Sequence, residues 1–261
     1  MTEAPLLQRS DDGGIATLTL NRPQARNSLS LALLQALSAE FECLAADATI
    51  RVVVLAGTGP AFCAGHDLRE MREANFAPSL MERIFGECSK VMLAITRLPK
   101  PVIAQVHGVA TAAGCQLVAS CDLAVAAADA RFATPGVNIG LFCSTPMVAL
   151  SRAVGRKAAM QMLLEGDLIG ADKALEFGLI NEIVAPERLA ERVRTRALTL
   201  AAKSAMTLAI GKTAFYRQIE MGLDEAYAYA TQVMIDNMAA EDAQEGISAF
   251  LDKRPPAWRD M

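Results

Sequence analysis

Residues 100–122 constrain the fold more than any other part of the sequence. The short apolar run from Val102 to Val106 has the length and branching of a buried strand, and His107-Gly108 then breaks the pattern. Small residues follow, and from Cys115 onward apolar residues recur at helical spacing. We therefore predict a buried strand, a tight turn of small residues and the start of a helix.

A turn of this kind presents backbone N–H groups without partners at the positive end of a helix. Such a place can hold an anion, or an oxygen that becomes one during a reaction, and small side chains let a ligand approach the backbone. The alternative is close packing of a helix on a sheet, because glycine-rich turns are common in α/β folds. Taken alone, the stretch favours that structural alternative.

The composition limits the partners and the location. The chain has 261 residues, of which 52% are hydrophobic, which is enough for a large core in one domain. The net charge of −4 gives no reason to expect nucleic acid, and no apolar run reaches membrane-spanning length. The N-terminal segment lacks the apolar centre of a secretory signal. We expect neither nucleic acid nor a membrane as a partner.

Six cysteines and two histidines are present, without a CxxC pair, so we expect no metal site. The cysteines lie in apolar or small-residue runs, a pattern typical of reduced thiols, and we expect a cytoplasmic location. They are Cys43, Cys63, Cys88, Cys115, Cys121 and Cys143.

The order of the elements indicates an α/β fold. Apolar strands around Gly13-Gly14 predict a hairpin, and Ser28 or Ser30 can cap a helix that runs to about Ala46. Residues 61–68 form another such turn, the first of the two along the chain, between a buried strand and a helix. Serial strand–turn–helix units predict stacked ββα turns, followed by helices only after about residue 145. We expect a core at residues 1–200 and a helical region at residues 201–261.

Two glycine turns, each after a buried strand and each opening a helix, resemble those of the crotonase family, which includes enoyl-CoA hydratases and isomerases. The matching segments keep the family's order and spacing over nearly the whole chain, and together they are highly specific. They are Asn21-Arg22-Pro23, residues 61–68, Pro101-Val102-Ile103-Ala104 with Gly108, residues 114–117 with Cys121-Asp122, residues 132–140, residues 178–181 and residues 250–255. Residues 132–146 are most similar to the subgroup called enoyl-CoA hydratase domain-containing protein 3.

The resemblance implies a ββα superhelix and an acyl-CoA thioester as substrate, with coenzyme A as part of the substrate and no covalently bound cofactor. It also implies that two backbone N–H groups, at His66 and Ala113, bind the thioester carbonyl oxygen. An enolate carries negative charge on that oxygen, and preorganised donors stabilise it. Only the backbone is needed, so the side chains at these positions can vary.

The resemblance further places the coenzyme along the first turn. Ala64, with the adjoining Gly65 and His66, would hold the adenine, and Arg26 would lie near the phosphates. Lys212 and Phe215 would complete a neighbouring subunit's site in a homotrimer or a dimer of trimers. The alternatives are that Arg26 and Lys212 are ordinary charges and that Phe215 belongs to the core of the helical region.

The sequence departs from the family at its acid–base groups. The two glutamates of family hydratases align with Gln116 and Gly136, and the acid of the dienoyl isomerases aligns with Ser144. Glutamine cannot accept a proton as a base near neutral pH, and glycine offers only its backbone. We interpret Asp67 and Asp122 as structural residues.

Few other groups can replace these acids. Cys143 is either a thiolate base or nucleophile, or a small apolar filler. His66 is either an acid–base catalyst or a polar liner of the site. Glu82 and Glu87 are further candidates, on a helix that follows the first turn.

Three hypotheses remain open from the sequence. The first is an enzyme of enoyl-CoA hydratase or isomerase type, in fatty acid metabolism, that stabilises a thioester enolate but hydrates poorly. The second is a CoA-ester binding protein without turnover, and the third is another thioester reaction, such as hydrolysis or decarboxylation.

Overall fold

A computed structural model describes residues 4–260 of the chain, which contain nine β-strands and eleven α-helices. The strands are β1 (Leu7–Asp12), β2 (Ile15–Leu20), β3 (Val52–Gly57), β4 (Val102–Val106), β5 (Val109–Thr111), β6 (Leu123–Ala127), β7 (Arg131–Ala133), β8 (Ile169–Gly170) and β9 (Glu182–Val184). The helices are α1 (Leu31–Ala46), α2 (Leu68–Glu73), α3 (Pro78–Arg97), α4 (Ala113–Ser120), α5 (Ser144–Ala153), α6 (Arg156–Glu165), α7 (Ala171–Phe177), α8 (Leu189–Ala201), α9 (Ala205–Gln218), α10 (Leu223–Ala239) and α11 (Glu241–Leu251).

The strands form two sheets. The larger has the order β1-β2-β3-β4-β6-β9, and every neighbouring pair is parallel except the β1–β2 hairpin. The smaller has the order β5-β7-β8. Parallel neighbours require crossovers, which α1 provides between β2 and β3, and α2 with α3 between β3 and β4. The predicted series of strand–turn–helix units is therefore present.

Local signals in the sequence position the first elements. Gly13 and Gly14 have φ of 59° and 77°, and Asp12 pairs with Ile15 across this two-residue turn. The Ser30 side chain accepts a hydrogen bond from the Leu33 N–H at 3.3 Å, which caps α1 as predicted.

Strand β3 is buried on both faces of the sheet. Val53 and Leu55 pack in the larger core with α1, α3 and α4, whereas Val52 and Val54 pack with α8 on the opposite face. Successive strand residues point to opposite faces, so a continuous run of branched residues fits a strand that is covered on both sides.

The prediction that only helices follow residue 145 is wrong. β8 and β9 lie beyond that point, and β9 pairs in parallel with β6 at the edge of the larger sheet. These strands have two and three residues, which is too short for an alternating pattern to show in the sequence.

The region predicted to be helical contains α9, α10 and α11. Neither α9 nor α10 buries a residue in the single chain. Among residues 4–260 no helix is both long and apolar enough to cross a membrane.

Candidate active site

The two glycine turns lie against each other. We call residues 61–67 the first turn and residues 107–113 the second turn. The N–H of Cys63 donates to the Val109 carbonyl at 3.1 Å, and the Thr111 N–H donates back to the Cys63 carbonyl at 3.0 Å. The segment after β3 is thus paired with β5, which fixes the turns side by side.

Glycine is required where the turns touch. A Cβ on Gly114 would lie 2.0 Å from the Cys63 carbonyl oxygen. This is far inside van der Waals contact, so no side chain fits there unless the backbone moves. Gly65 has φ of +94°, and a Cβ there would lie 2.9 Å from the Ala112 Cβ and 3.5 Å from the Ala113 nitrogen. The close packing considered from the sequence is real, and it brings residue 65 within contact distance of the start of α4.

Two backbone donors remain without partners at this junction. Among the described residues, neither the His66 N–H nor the Ala113 N–H donates a hydrogen bond. The adjacent groups are paired, since the Gly65 carbonyl accepts from Leu29 at 2.8 Å and the Asp67 N–H donates to Leu29 at 3.1 Å. Ala113 is also the first residue of α4, where the helix dipole favours negative charge.

Ala112 holds the start of α4 in a strained conformation. Its φ is 50° and its ψ is −117°, a combination that residues with a Cβ rarely adopt. Its N–H donates to the Ala133 carbonyl at 2.9 Å, which ties the second turn to β7. Strain of this kind is concentrated at functional sites.

A cavity of about 610 Å³ adjoins both turns. It is bounded by α2, α3 and the segment of residues 135–146, and its lining is mainly apolar. The larger apolar liners are Leu68, Met71, Phe85, Ile139, Leu141 and Phe142. Within residues 4–260, no Asp, Glu, Lys or Arg lines this cavity.

The imidazole of His66 lines the cavity without a polar partner. Its ring meets the Phe85 ring edge-on, with 5.1 Å between ring centres and an interplanar angle of 87°. The Nε2 atom is buried and has no hydrogen-bond partner among the described residues. Burial lowers the pKa of His66 to about 4, so the ring is neutral at pH 7. This favours the polar-liner interpretation.

Gln116 lies inside the fold next to the site and does not line the cavity. It is only 4% exposed, and its Oε1 atom is 4.0 Å from the Cys88 Sγ atom on α3. A glutamine side chain in this position can hold a neighbouring group by weak hydrogen bonds, but it has no basic group for proton transfer.

Gly136 and Cys143 occupy one wall of the cavity together. A Cβ on Gly136 would lie 2.6 Å from the Leu141 carbonyl oxygen and 2.9 Å from the Cys143 Sγ atom. Burial raises the pKa of the Cys143 thiol, although the Gly136 N–H donates to its sulfur. The thiol form is therefore favoured, which agrees with the small-filler interpretation of Cys143.

The first turn also contacts Arg26. The N–H of Ala64 donates to the Arg26 carbonyl at 3.0 Å, and Ala64 lines the cavity. The Arg26 side chain is exposed and its φ is 51°. An exposed guanidinium beside the first turn is compatible with the predicted phosphate contact.

Lys212 and Phe215 lie away from the cavity in the single chain. The Lys212 ammonium donates to the carbonyls of Ile95 at 2.8 Å and Lys100 at 2.9 Å, and to the Asp122 carboxylate at 2.7 Å. All three of its hydrogens are used, so this lysine anchors α9 to the core rather than standing free for a phosphate. Phe215 is exposed beside it.

The carboxylates near the first turn and on α3 do not reach the cavity. The Asp67 carboxylate accepts hydrogen bonds from the Arg69 and Glu70 N–H groups at the start of α2. It also pairs with Arg22 at 2.8 Å. The Glu70 carboxylate accepts from the Leu31 N–H at 3.0 Å. Neither Glu82 nor Glu87 lines the cavity.

Sequence reasoning missed the apolar liners. Leu68 and Met71 follow the first turn directly, and residues 139–142 form a short apolar run within a matched motif. Large apolar residues beside a ligand-binding turn are a signal that was available. Phe85 carried no such signal, because its position depends on how α3 packs.

The family is established by comparison with known proteins. A model of the enoyl-CoA hydratase/isomerase family matches residues 10–261, and the chain belongs to this family. Human enoyl-CoA hydratase domain-containing protein 3, mitochondrial, is 47% identical over 94% of this chain and 80% of its own length. The 2,3-dehydroadipyl-CoA hydratase of Escherichia coli K12 is 36% identical over 94% of this chain and 95% of its own.

Solved structures confirm the crotonase fold. An enoyl-CoA hydratase of Mycobacterium smegmatis has a TM-score of 0.95 at 56% identity, covering 98% of this chain and 99% of that one. The human domain-containing protein 3 structure has a TM-score of 0.94 at 46% identity, covering 97% and 100%. The resemblance of the sequence to this family and subgroup is confirmed.

The expectation of a cytoplasmic location is wrong. The Xenopus laevis, rat and human relatives, which are 45–47% identical, are all named mitochondrial proteins, and this overturns the expectation. Reduced cysteines are expected in either compartment, so the cysteine pattern cannot distinguish a cytoplasmic location from a mitochondrial one.

Proposed function

We propose that this protein binds an acyl-CoA thioester and stabilises its enolate with the backbone N–H groups of His66 and Ala113. The observation that carries this proposal is the pair of unpartnered donors at the junction of the two turns, beside an apolar cavity. Donors fixed before the ligand arrives need no reorganisation when charge develops on the carbonyl oxygen. The start of α4 adds a favourable dipole at Ala113.

The coenzyme is proposed to follow the first turn. Ala64 and Gly65 offer close approach to the backbone, and the exposed Arg26 next to them offers a charge for a phosphate. Coenzyme A is then part of the substrate, with the acyl group directed into the cavity.

Hydration is expected to be slow in this site. Adding water across a double bond requires a group that takes a proton from water, and the cavity has no carboxylate among the described residues. The neutral imidazole of His66 is a weak base because burial lowers its pKa to about 4. We expect turnover of crotonyl-CoA well below the usual range of about 1–10³ per second.

The donors can be tested by putting lactic acid in place of Ala113, which exchanges its backbone N–H for an ester oxygen and also weakens the Ala112 carbonyl as an acceptor for the Gln116 N–H. We expect crotonyl-CoA to bind about tenfold or more weakly, while free CoA, which lacks the thioester carbonyl, binds unchanged. The matched control places the same ester at Ala171, the first residue of α7. Equal crotonyl-CoA affinity in calorimetric titrations of both esters would exclude the proposed oxyanion site.

The same mixtures distinguish the reactions that need no glutamate. Unchanged ligands by mass spectrometry indicate a binding protein, and free CoA indicates hydrolysis. A further mixture with malonyl-CoA, which would lose CO₂ to give acetyl-CoA, tests decarboxylation. The observation behind these alternatives is that the unpartnered donors are present, while the two positions where the resemblance implies glutamates hold Gln116 and Gly136.

We also propose that the chain assembles as a homotrimer or a dimer of trimers. Helices α9 and α10, with 14 and 17 residues, bury none of them in the single chain. Their exposed apolar side chains include Phe215, Leu223, Tyr227, Met234, Ile235 and Met238. An apolar surface of this kind marks an interface. Light scattering is the test, and a monomer would contradict the proposal.

A further inference from the structure

We propose that the acyl end of the site takes an uncharged, apolar acyl chain and rejects acyl groups that end in a carboxylate. This inference rests on the proposed function, because it names the thioesters that the proposed site accepts. It concerns the cavity beyond the two turns, where the part of the acyl group distant from the thioester would lie.

The walls of this cavity are apolar on three sides. Leu68 and Met71 come from α2, Phe85 comes from α3, and Ile139 and Phe142 come from the segment opposite. Several of these liners remain accessible in the single chain, and Leu68 is 50% exposed. An acyl chain would cover them, and removing this apolar surface from water favours binding.

The polar side chains that line the cavity are either already hydrogen-bonded within the chain or uncharged. The Asn138 amide donates to the Gly166 carbonyl at 3.2 Å, and the Ser144 hydroxyl donates to the Phe142 carbonyl at 3.4 Å. His66 is neutral at pH 7 because burial lowers its pKa to about 4. No cationic side chain lines the cavity between residues 4 and 260.

A carboxylate held against these apolar walls would give up part of its hydration without gaining a charged partner. Such burial is strongly unfavourable, whereas an alkyl end of the same length pays no comparable cost. The cavity therefore discriminates by charge among acyl groups of similar size.

The test compares CoA, hexanoyl-CoA, adipoyl-CoA and adipoyl-CoA monomethyl ester by calorimetric titration at pH 7.5. Hexanoyl and adipoyl groups have equal chain length, and the ester removes the charge while it adds one methyl group. We expect adipoyl-CoA to bind at least about tenfold more weakly than hexanoyl-CoA, and the ester to recover most of that loss.

The outcomes separate this inference from the proposed function. Adipoyl-CoA binding as tightly as hexanoyl-CoA overturns the inference and leaves the thioester site intact. If no acyl-CoA binds, the proposed function fails and the inference fails with it. If the methyl ester binds as weakly as adipoyl-CoA, shape rather than charge governs selection, and the inference is again overturned.

A cation placed at the cavity rim gives an independent check. In Leu68→Arg the new guanidinium lies on a liner, so the affinity for adipoyl-CoA should rise about two- to fivefold relative to hexanoyl-CoA. The matched control is Leu168→Arg, which adds the same charge at a 59% exposed leucine that does not line the cavity. An equal rise in both variants would contradict the inference.

Discussion

Gly136 and Cys143 share one space in the cavity wall, because a Cβ on Gly136 would lie 2.9 Å from the Cys143 sulfur. The Leu141 carbonyl oxygen is nearer still, at 2.6 Å. The segment of residues 136–143 is therefore folded around a residue without a side chain. The absence of a side chain at residue 136 is built into the shape of the segment.

Introducing a glutamate at residue 136 should not produce an efficient hydratase. We expect Gly136→Glu to lower the free energy of unfolding by about 1–3 kcal/mol, because the segment must move to admit a Cβ. Urea unfolding and crotonyl-CoA hydration are the measurements. Gly155→Ala is the control, since a Cβ there meets no atom within 4 Å. A stable and efficient hydratase would show that the segment adapts freely.

The contact between the turns should be sensitive to one methyl group. A Cβ on Gly114 would lie 2.0 Å from the Cys63 carbonyl, so Gly114→Ala must separate the turns. We expect a loss of about 3 kcal/mol or more in the free energy of unfolding, measured in urea. Gly86→Ala, in the middle of α3, has open space at its Cβ and should stabilise by about 0.5–1 kcal/mol. Similar stability of both variants would contradict the close contact.

The buried strands and the capped helices could be predicted because their causes are local. The branched run Val102–Val106 is β4 without a change of boundary, and Ser30 caps α1. β9 could not be predicted in this way, because it depends on pairing with the edge strand β6. Local sequence patterns contain little information about a three-residue strand.

In the candidate site, too, features with local causes could be predicted and features that depend on distant contacts could not. The glycine turns are visible in the sequence, and the resemblance to the family singles out His66 and Ala113 within them as the backbone donors. The environment of Lys212 depends on contacts with residues about 90 to 117 positions away, so its buried state was not visible. The fully paired ammonium weakens the prediction that Lys212 binds a coenzyme.

The buried imidazole of His66 should make stability depend on pH. Its pKa of about 4 in the folded chain lies below its ordinary value of about 6.5, so the unfolded chain binds the proton more readily. Stability is then complete above about pH 6.5 and falls as the pH drops towards 4. The loss should reach about 2–3 kcal/mol at pH 4.

Urea unfolding of the wild type and His66→Gln at pH 7 and pH 5 measures this contribution. The variant removes the titrating group and keeps the backbone N–H, so its stability should fall less over the same interval. Identical pH dependence in the two proteins would argue against a neutral buried imidazole. Binding of crotonyl-CoA at pH 7 should survive the substitution, because only the backbone donor is used.

The Lys212–Asp122 pair should stabilise the attachment of α9. The Asp122 carboxylate also accepts hydrogen bonds from the Tyr216 hydroxyl at 3.0 Å and the Val102 N–H at 2.7 Å. Lys212→Met would leave this carboxylate without its buried cation, and we expect a loss of about 3–5 kcal/mol in the free energy of unfolding. The double variant Lys212→Met/Asp122→Asn should lose less than the sum of the single variants.

A double-mutant cycle in urea, with CoA titrations of each folded variant, separates anchoring from coenzyme binding. Anchoring predicts a coupling energy between the two residues of about 1 kcal/mol or more. A Lys212→Met protein of unchanged stability that binds CoA poorly would instead support the coenzyme role. Anchoring is favoured because three hydrogen bonds already saturate the ammonium and because burial lowers the pKa of Lys212 despite the adjacent carboxylate. To reach a phosphate, the Lys212 ammonium would have to give up its three hydrogen bonds within the chain. These bonds therefore favour anchoring over coenzyme binding.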